Sequence, residues 1–279
     1  MRAFLESPDT FLVRYHRHHA GIMSWALGRG SVRGEFSSYD LMADMVVPDT
    51  PHMVLDLGCG DGLLLERLLA RGLAAEKLIG LDMSPDELAL ASKRFEDHGV
   101  SLRCERADSM SIDDASVGHI LSHLSLMVMS QLDAVVREMA RVLIPGGSFA
   151  AILPRRGPLE GATAIFHQLF EDAYNSQKTH APALGDERAW SRDGLTEVLG
   201  SANAFGALEF SDIALRLDGT VIEVWNSLSS RYEAYVMLPR DRAEIRKRFA
   251  EKVNSLVGAD GILPCSVPLL QVTARRTRQ

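Results

Sequence analysis

Cysteine is scarce in this chain of 279 residues, where Cys59, Cys104 and Cys265 are all there is. No two of them form a Cys-x-x-Cys pair, which argues against a disulfide framework or a thiolate zinc site. Basic charge is short as well: 30 Lys and Arg face 37 Asp and Glu, for a formal net charge of −7. Such a chain has no global positive field, so no nucleic-acid partner is expected. Long apolar runs are missing. No window reaches the roughly 18 apolar residues of a membrane span, and no membrane partner is expected. The opening segment, residues 1–9, lacks the apolar core of a secretory signal, which points to a reduced, cytoplasmic protein. Arg275, Arg276 and Arg278 make a small basic tail, read as a solvated end.

What is present is an ordinary globular composition, 46% hydrophobic and 24% charged, organised around residues 53–62. There Met53-Val54-Leu55, a strand-like run, leads to Asp56 and then to Gly58, Gly60 and Gly62 at every second position. Leu64, Leu65, Leu68 and Leu69 follow at helical spacing. A strand that stops at a glycine turn and feeds a helix builds a ligand crevice at the carboxyl edge of a sheet.

From 53 to about 153 the pattern alternates. It predicts strands near 53–57, 78–82, 100–104, 118–123 and 147–153, with helices near 62–71, 85–97 and 131–143. Ser84-Pro85-Asp86-Glu87 reads as a capping box with proline at the first helical position. Repeated β-α-β units imply a parallel sheet covered by helices on both faces, a doubly wound α/β fold. Before it, Ser7 and Pro8 open a predicted helix over 8–28, and a short one follows from Ser38 to Val47. His16, His18 and His19 lie on the first helix. Adjacent histidines point about 100° apart and no carboxylate joins them, so no metal is expected. After 153 the pattern predicts helices over 158–178, 220–235 and 240–257 and a short one after Ser191. Strands are predicted at 207–217 and 267–274. The expected organisation is an N-terminal helical cap (1–47), a ligand-binding core (48–153), and a remainder (154–279) holding the last strands and helical inserts.

Nicotinamide, flavin and nucleoside ligands all use glycine-rich turns, so the turn alone is a weak signal. The dinucleotide pattern would need glycine at 63, where Leu63 stands, and Asp56 and Asp61 would repel a pyrophosphate. A carboxylate beside helix-start amides suits a ligand bearing an ammonium group. Asp82 ends the second strand, 20 residues beyond Gly62, placed to accept both hydroxyls of a ribose. Asp108-Ser109 follows the third strand.

Asp56-x-Gly58-x-Gly60-x-Gly62, Gly80-Leu81-Asp82-Met83-Ser84, Ala107-Asp108 and Arg141-Val142-Leu143-Ile144-Pro145-Gly146-Gly147 resemble the class I S-adenosylmethionine-dependent methyltransferases. Among these the chain is most similar to the small-molecule, ubiquinone-biosynthesis type. The resemblance covers roughly residues 50–153. It implies a Rossmann-like sheet of seven strands, mostly parallel, whose last strand is antiparallel. It also implies that Asp56, Gly58, Cys59 and Gly60 hold the methionyl end of S-adenosylmethionine, with the carbonyl of Ser122 on its ammonium. Asp82 would then hold the ribose, Met83 the adenine face, and Asp108 and Ser109 the adenine edge. Tyr15, His19 and Tyr39 would close over the cofactor, whose product is S-adenosylhomocysteine.

Methyl transfer from a sulfonium needs alignment and, for some acceptors, a base. The fourth strand ends at Ser122-His123-Leu124, which is neither the Asn/Asp-Pro-Pro-Tyr/Phe signature of amino-group methylases nor an acid for a magnesium site. His123 is the candidate general base. Aromatic side chains from Trp25 to Tyr235 suggest a cap enclosing a medium-sized, partly apolar metabolite. Methyl transfer to O, N or C of such a molecule is therefore expected. A cofactor-binding protein that transfers no methyl, and a protein or RNA methylase, are the alternatives.

Overall fold

A computed structural model describes residues 6–177, 180–201 and 204–277; Arg278 of the basic tail lies outside them. One sheet organises the chain. Its strands are β1 (Met53–Leu57), β2 (Leu78–Asp82), β3 (Ser101–Cys104), β4 (Val117–His123), β5 (Leu143–Pro154), β6 (Glu209–Arg216) and β7 (Ser266–Arg275). They lie in the order β3-β2-β1-β4-β5-β7-β6. β1 to β5 pair in parallel. β7 runs antiparallel between β5 and β6. The order reverses at β1, so a crevice opens where β1 and β4 part at their carboxyl ends.

Helices α1 (Pro8–His19), α2 (Ile22–Leu27) and α3 (Ser38–Ala43) precede the sheet. α4 (Leu63–Ala70), α5 (Pro85–Arg94) and α6 (Leu132–Val142) cross between its strands. α7 (Gly161–Ser176) and α8 (Arg192–Ser201) follow β5, and α9 (Val221–Leu228), α10 (Tyr232–Tyr235) and α11 (Pro239–Val253) precede β7. β1 is buried from Val54 to Leu57 on both faces, as a strand covered by two helical layers must be. β3, at the edge, is half exposed. Among the described residues no helix is long and apolar enough to cross a membrane.

Local chemistry sets the helix starts. Ser7, Ser37, Ser84 and Thr220 each cap a first turn through the side-chain oxygen, with Pro8 and Pro85 at the first helical positions. Three expectations give way. The helix predicted over 8–28 breaks at Gly21, whose φ of +73° leaves the helical region. Its N–H is taken by the Glu87 carboxylate instead of a preceding carbonyl. The helix predicted over 220–235 stops at Leu228, where Ser230 Oγ donates to the Asn226 carbonyl at 2.7 Å and competes with the ladder. β5 begins before Pro145-Gly146-Gly147 rather than after it, because Gly146 at φ +82° lets the strand pass through a register shift against β4.

Candidate active site

The turn after β1 is tied to β2: the amides of Gly58 and Cys59 donate to the Leu81 carbonyl at 2.8 and 3.0 Å. Gly58 has φ +76°, and a Cβ there would lie 2.4 Å from Cβ of Ser125. Only glycine fits. A Cβ on Gly60 would meet nothing closer than a Glu87 oxygen at 3.7 Å, so its front is open to a ligand. Ser125 Oγ donates to the Leu57 carbonyl at 2.8 Å and contacts Ser122 Oγ at 2.7 Å.

This turn lines a cleft of about 1120 Å³, open at its mouth, roofed by α1 and by Tyr39 and Tyr232. Asp9, Asp56, Asp61, Asp82, Glu87, Glu105 and Asp108 all line it. Asp56 is 1% exposed, and its Oδ2 has no hydrogen-bond partner. Burial, then the neighbouring Asp82 and Asp61, push its carboxyl well above the usual range. Asp82 accepts the Gly60 N–H at 2.9 Å and the Ser84 N–H at 2.8 Å, one on each oxygen. Burial still raises its pKa against those two bonds. Each oxygen keeps a lone pair for a further donor. The Asp108 carboxylate is held by Arg106 at 3.0 and 2.7 Å, and the same guanidinium grips Asp9 of α1.

His123 stacks on Tyr39 with ring centroids 3.8 Å apart, and its Nε2 lies 3.0 Å from Ser38 Oγ. Its Nδ1 is buried without a partner. Burial lowers its pKa to about 3, so the ring is neutral near pH 7. Next to it, Leu124 has φ +54°, an uncommon conformation for a leucine, at the point where β4 leaves the sheet. Cys59 fills space beside Gly80. Burial drives its thiol well up and makes it a poor nucleophile.

Of the residues read from the sequence, the cleft brings together Asp56, Gly58, Cys59, Gly60, Asp82, Met83, Asp108, Tyr39 and His123. Ser109 is exposed outside the lining, and Ser122 is buried behind Ser125. Tyr15 and His19 do not roof the cleft. They stack on each other at 4.8 Å and line a separate hollow with Trp25 and Tyr235. The expected aromatic cap contracts in the same way. Phe166, Phe170 and Trp225 pack with Phe249 into a core between α7, α9 and α11, and Tyr232 alone of that set reaches the cleft. Met127 is core, whereas Met129 lines the cleft.

The sequence pattern does not single out Glu87 as a site residue. Its carboxylate accepts the Gly21 N–H at 3.0 Å. His16 Nδ1 stands 2.7 Å from its other oxygen, a contact of ion-pair length whose angle falls short of a hydrogen bond's. The available signal is Asp82, two residues before Ser84. By taking the Ser84 N–H it leaves the capping box half made, with the Glu87 side chain free to reach α1 and α2.

A model of the methyltransferase domain family matches residues 55–151. The sterol 4-C-methyltransferase of Caenorhabditis elegans is 34% identical over 99 residues, 34% of this chain and 29% of that protein. A demethylmenaquinone methyltransferase of Thermus thermophilus is 27% identical over 46% of this chain and 58% of its own. The chain thus spans little more than half of the longer match and under a third of the other. Two solved structures share the fold over 99% of this chain. One is the phosphoethanolamine N-methyltransferase 2 of Haemonchus contortus, bound to phosphomonomethylethanolamine and S-adenosylhomocysteine (TM-score 0.60, 17% identity, 61% of that chain). The other is the [4+2]-cyclase SpnF (TM-score 0.63, 18% identity, 98% of that chain). Among the described residues no group of His, Cys, Asp and Glu is arranged to hold a metal. The glycine turn and the strand-end acids Asp56, Asp82 and Asp108 all lie within the matched segment, so residues 55–151 form a methyltransferase domain.

Proposed function

We propose that this protein transfers methyl from S-adenosylmethionine to O, N or C of a small-molecule metabolite. One observation carries the reading: a buried carboxylate, Asp56, with an unpartnered oxygen in a cleft beside a glycine turn. A buried anion without a partner is costly, and a cationic ligand relieves the cost. Bound here, S-adenosylmethionine supplies a methyl carbon on a sulfonium, a leaving group that needs no acid.

The chain's residues then divide the work. Asp56 answers the ammonium of the methionyl end, and the backbone of Gly58, Cys59 and Gly60 follows its path. Asp82 accepts the ribose hydroxyls on its remaining lone pairs, while Met83 and Asp108 meet the adenine. α1, Tyr39 and Tyr232 keep water from the reacting atoms. His123, neutral and with a conjugate acid near pKa 3, is too weak a base to take an acceptor's proton efficiently. Its role in this reading is to present Nδ1 as a fixed hydrogen-bonding group.

The [4+2]-cyclase of the same fold favours a second reading, in which the cofactor is bound and no methyl moves. Calorimetry with S-adenosylhomocysteine and with NAD, followed by label transfer from methyl-labelled S-adenosylmethionine to a small-molecule extract of the native host, separates the cases. Binding with transfer supports the first reading. Binding without transfer supports the second, and no binding overturns both.

A further inference from the structure

The charge of the cleft constrains the acceptor more sharply than its shape does. Seven carboxylates line it among the described residues, against one guanidinium, that of Arg106. Arg106 is already spent on Asp108 and Asp9. Asp61 is offset from outside by Arg94 at 2.8 Å. No other Lys or Arg among the described residues reaches the lining. The rest of the wall joins apolar side chains, among them Leu12, Val13, Met23 and Met129, to uncharged polar ones such as Ser24, Ser130 and Gln131 and to the imidazoles of His16 and His123. Three buried polar atoms of the lining, His16 Nδ1, Asp56 Oδ2 and His123 Nδ1, have no hydrogen-bond partner, and of these only His16 stands within ion-pair distance of a carboxylate, that of Glu87.

We propose that the acceptor this cleft takes carries no negative charge, being a neutral or cationic molecule with an apolar body. The proposal rests on the methyl-transfer reading and specifies its substrate. A carboxylate or phosphate entering the cleft would meet like charge in a low-dielectric space with no free cation to hold it. The protein's own groups already register that field. Asp56 is pushed up by burial first and then by Asp82 and Asp61, and an acceptor anion would meet the same two effects. The reaction balances in the same sense. The acceptor's lone pair forms the bond to the methyl carbon while the carbon–sulfur pair returns to sulfur. With a neutral acceptor the positive charge passes to the methylated product, still facing the carboxylates, until a displaced proton leaves to water. With an anionic acceptor the charges would cancel, and the carboxylates would be left unpartnered during the step.

The test splits a small-molecule extract of the native host into anionic, neutral and cationic pools on ion exchangers before any reaction, so each compound is scored by its starting charge. Each pool is passed over the full chain loaded with S-adenosylhomocysteine, and the retained compounds are identified by mass spectrometry. Enrichment of neutral or cationic compounds by roughly ten-fold or more over anionic ones is expected, since like-charge juxtaposition costs at least that much. Equal or greater retention of anionic compounds overturns the proposal, as does retention of none. Methyl transfer is read separately by label incorporation, so failure of the parent reading shows as bound compounds that gain no label.

Discussion

Glu87, on the first turn of α5, accepts the backbone N–H of Gly21 from 66 residues away in the chain. The bond pins the break between α1 and α2 to the wall of the cleft beside Asp82. Replacing Glu87 by Ala leaves the Gly21 donor without its partner, a loss of about 1–3 kcal/mol where it is shielded from water. Amide exchange at Gly21 and along α1 is expected to quicken by roughly ten-fold or more, each 1.4 kcal/mol being ten-fold, while β1 keeps its protection. Unchanged exchange at Gly21 would show that the bond holds nothing.

Asp82→Ala removes the acceptor for Gly60 and Ser84 and the group assigned to the ribose hydroxyls. S-adenosylhomocysteine affinity is expected to fall by more than about 1 kcal/mol, as loss of charged hydrogen bonds should. Calorimetry checks it; an unaltered Kd would sink the assignment.

Two of the glycines at positive φ, Gly58 and Gly34, separate space from strain. A Cβ at Gly58 collides with Ser125, whereas at Gly34 (φ +58°) nothing lies within 4 Å. Gly34→Ala should cost only the conformational penalty of about 1–2 kcal/mol. Gly58→Ala should cost more in denaturant unfolding, because Ser125 must also release the Leu57 carbonyl. Equal costs would mean that the turn has room to spare.

His123 should make stability depend on pH in the acid range. Its folded pKa, about 3, lies below the ordinary 6.5. The unfolded chain therefore binds a proton that the folded chain refuses. Its contribution is fully present above 6.5 and is lost as pH falls toward 3, at up to about 1.4 kcal/mol per pH unit. Asp56 and Asp82, whose pKa values are raised, act in the opposite sense. A His123→Phe variant isolates the effect: its stability relative to the parent should improve steadily between pH 6.5 and 4. Parallel pH profiles for the two proteins would refute it.

The local parts of the site are legible in the amino-acid sequence. The β1 turn declares itself through three glycines and an acid, and the acids at 82 and 108 follow their strands because parallel strands end at one edge. What stays hidden depends on competition and rotation. Glu87 reads as a capping residue until Asp82 is seen to take the Ser84 amide. On α1 the spacing shows that Tyr15 and His19 share a face, and Leu12 and His16 another. Periodicity cannot say which face looks into the cleft when both are covered. The breaks at Gly21 and Ser229-Ser230 are hidden for a related reason, since a side chain takes the place of a ladder bond at each, that of Glu87 at Gly21 and that of Ser230 itself at the end of α9.

The strand wedged between β5 and β6 is the last to be made. β5, fully buried at Phe149, Ile152 and Leu153, pairs with β7 from Ser148 to Pro154, and β6 pairs with β7 along its whole length. During synthesis, then, an apolar strand edge waits through more than a hundred residues for the segment that covers it. An open edge of that kind templates association between chains. The fold is thus most exposed to self-association in the interval before residue 275 is free to insert.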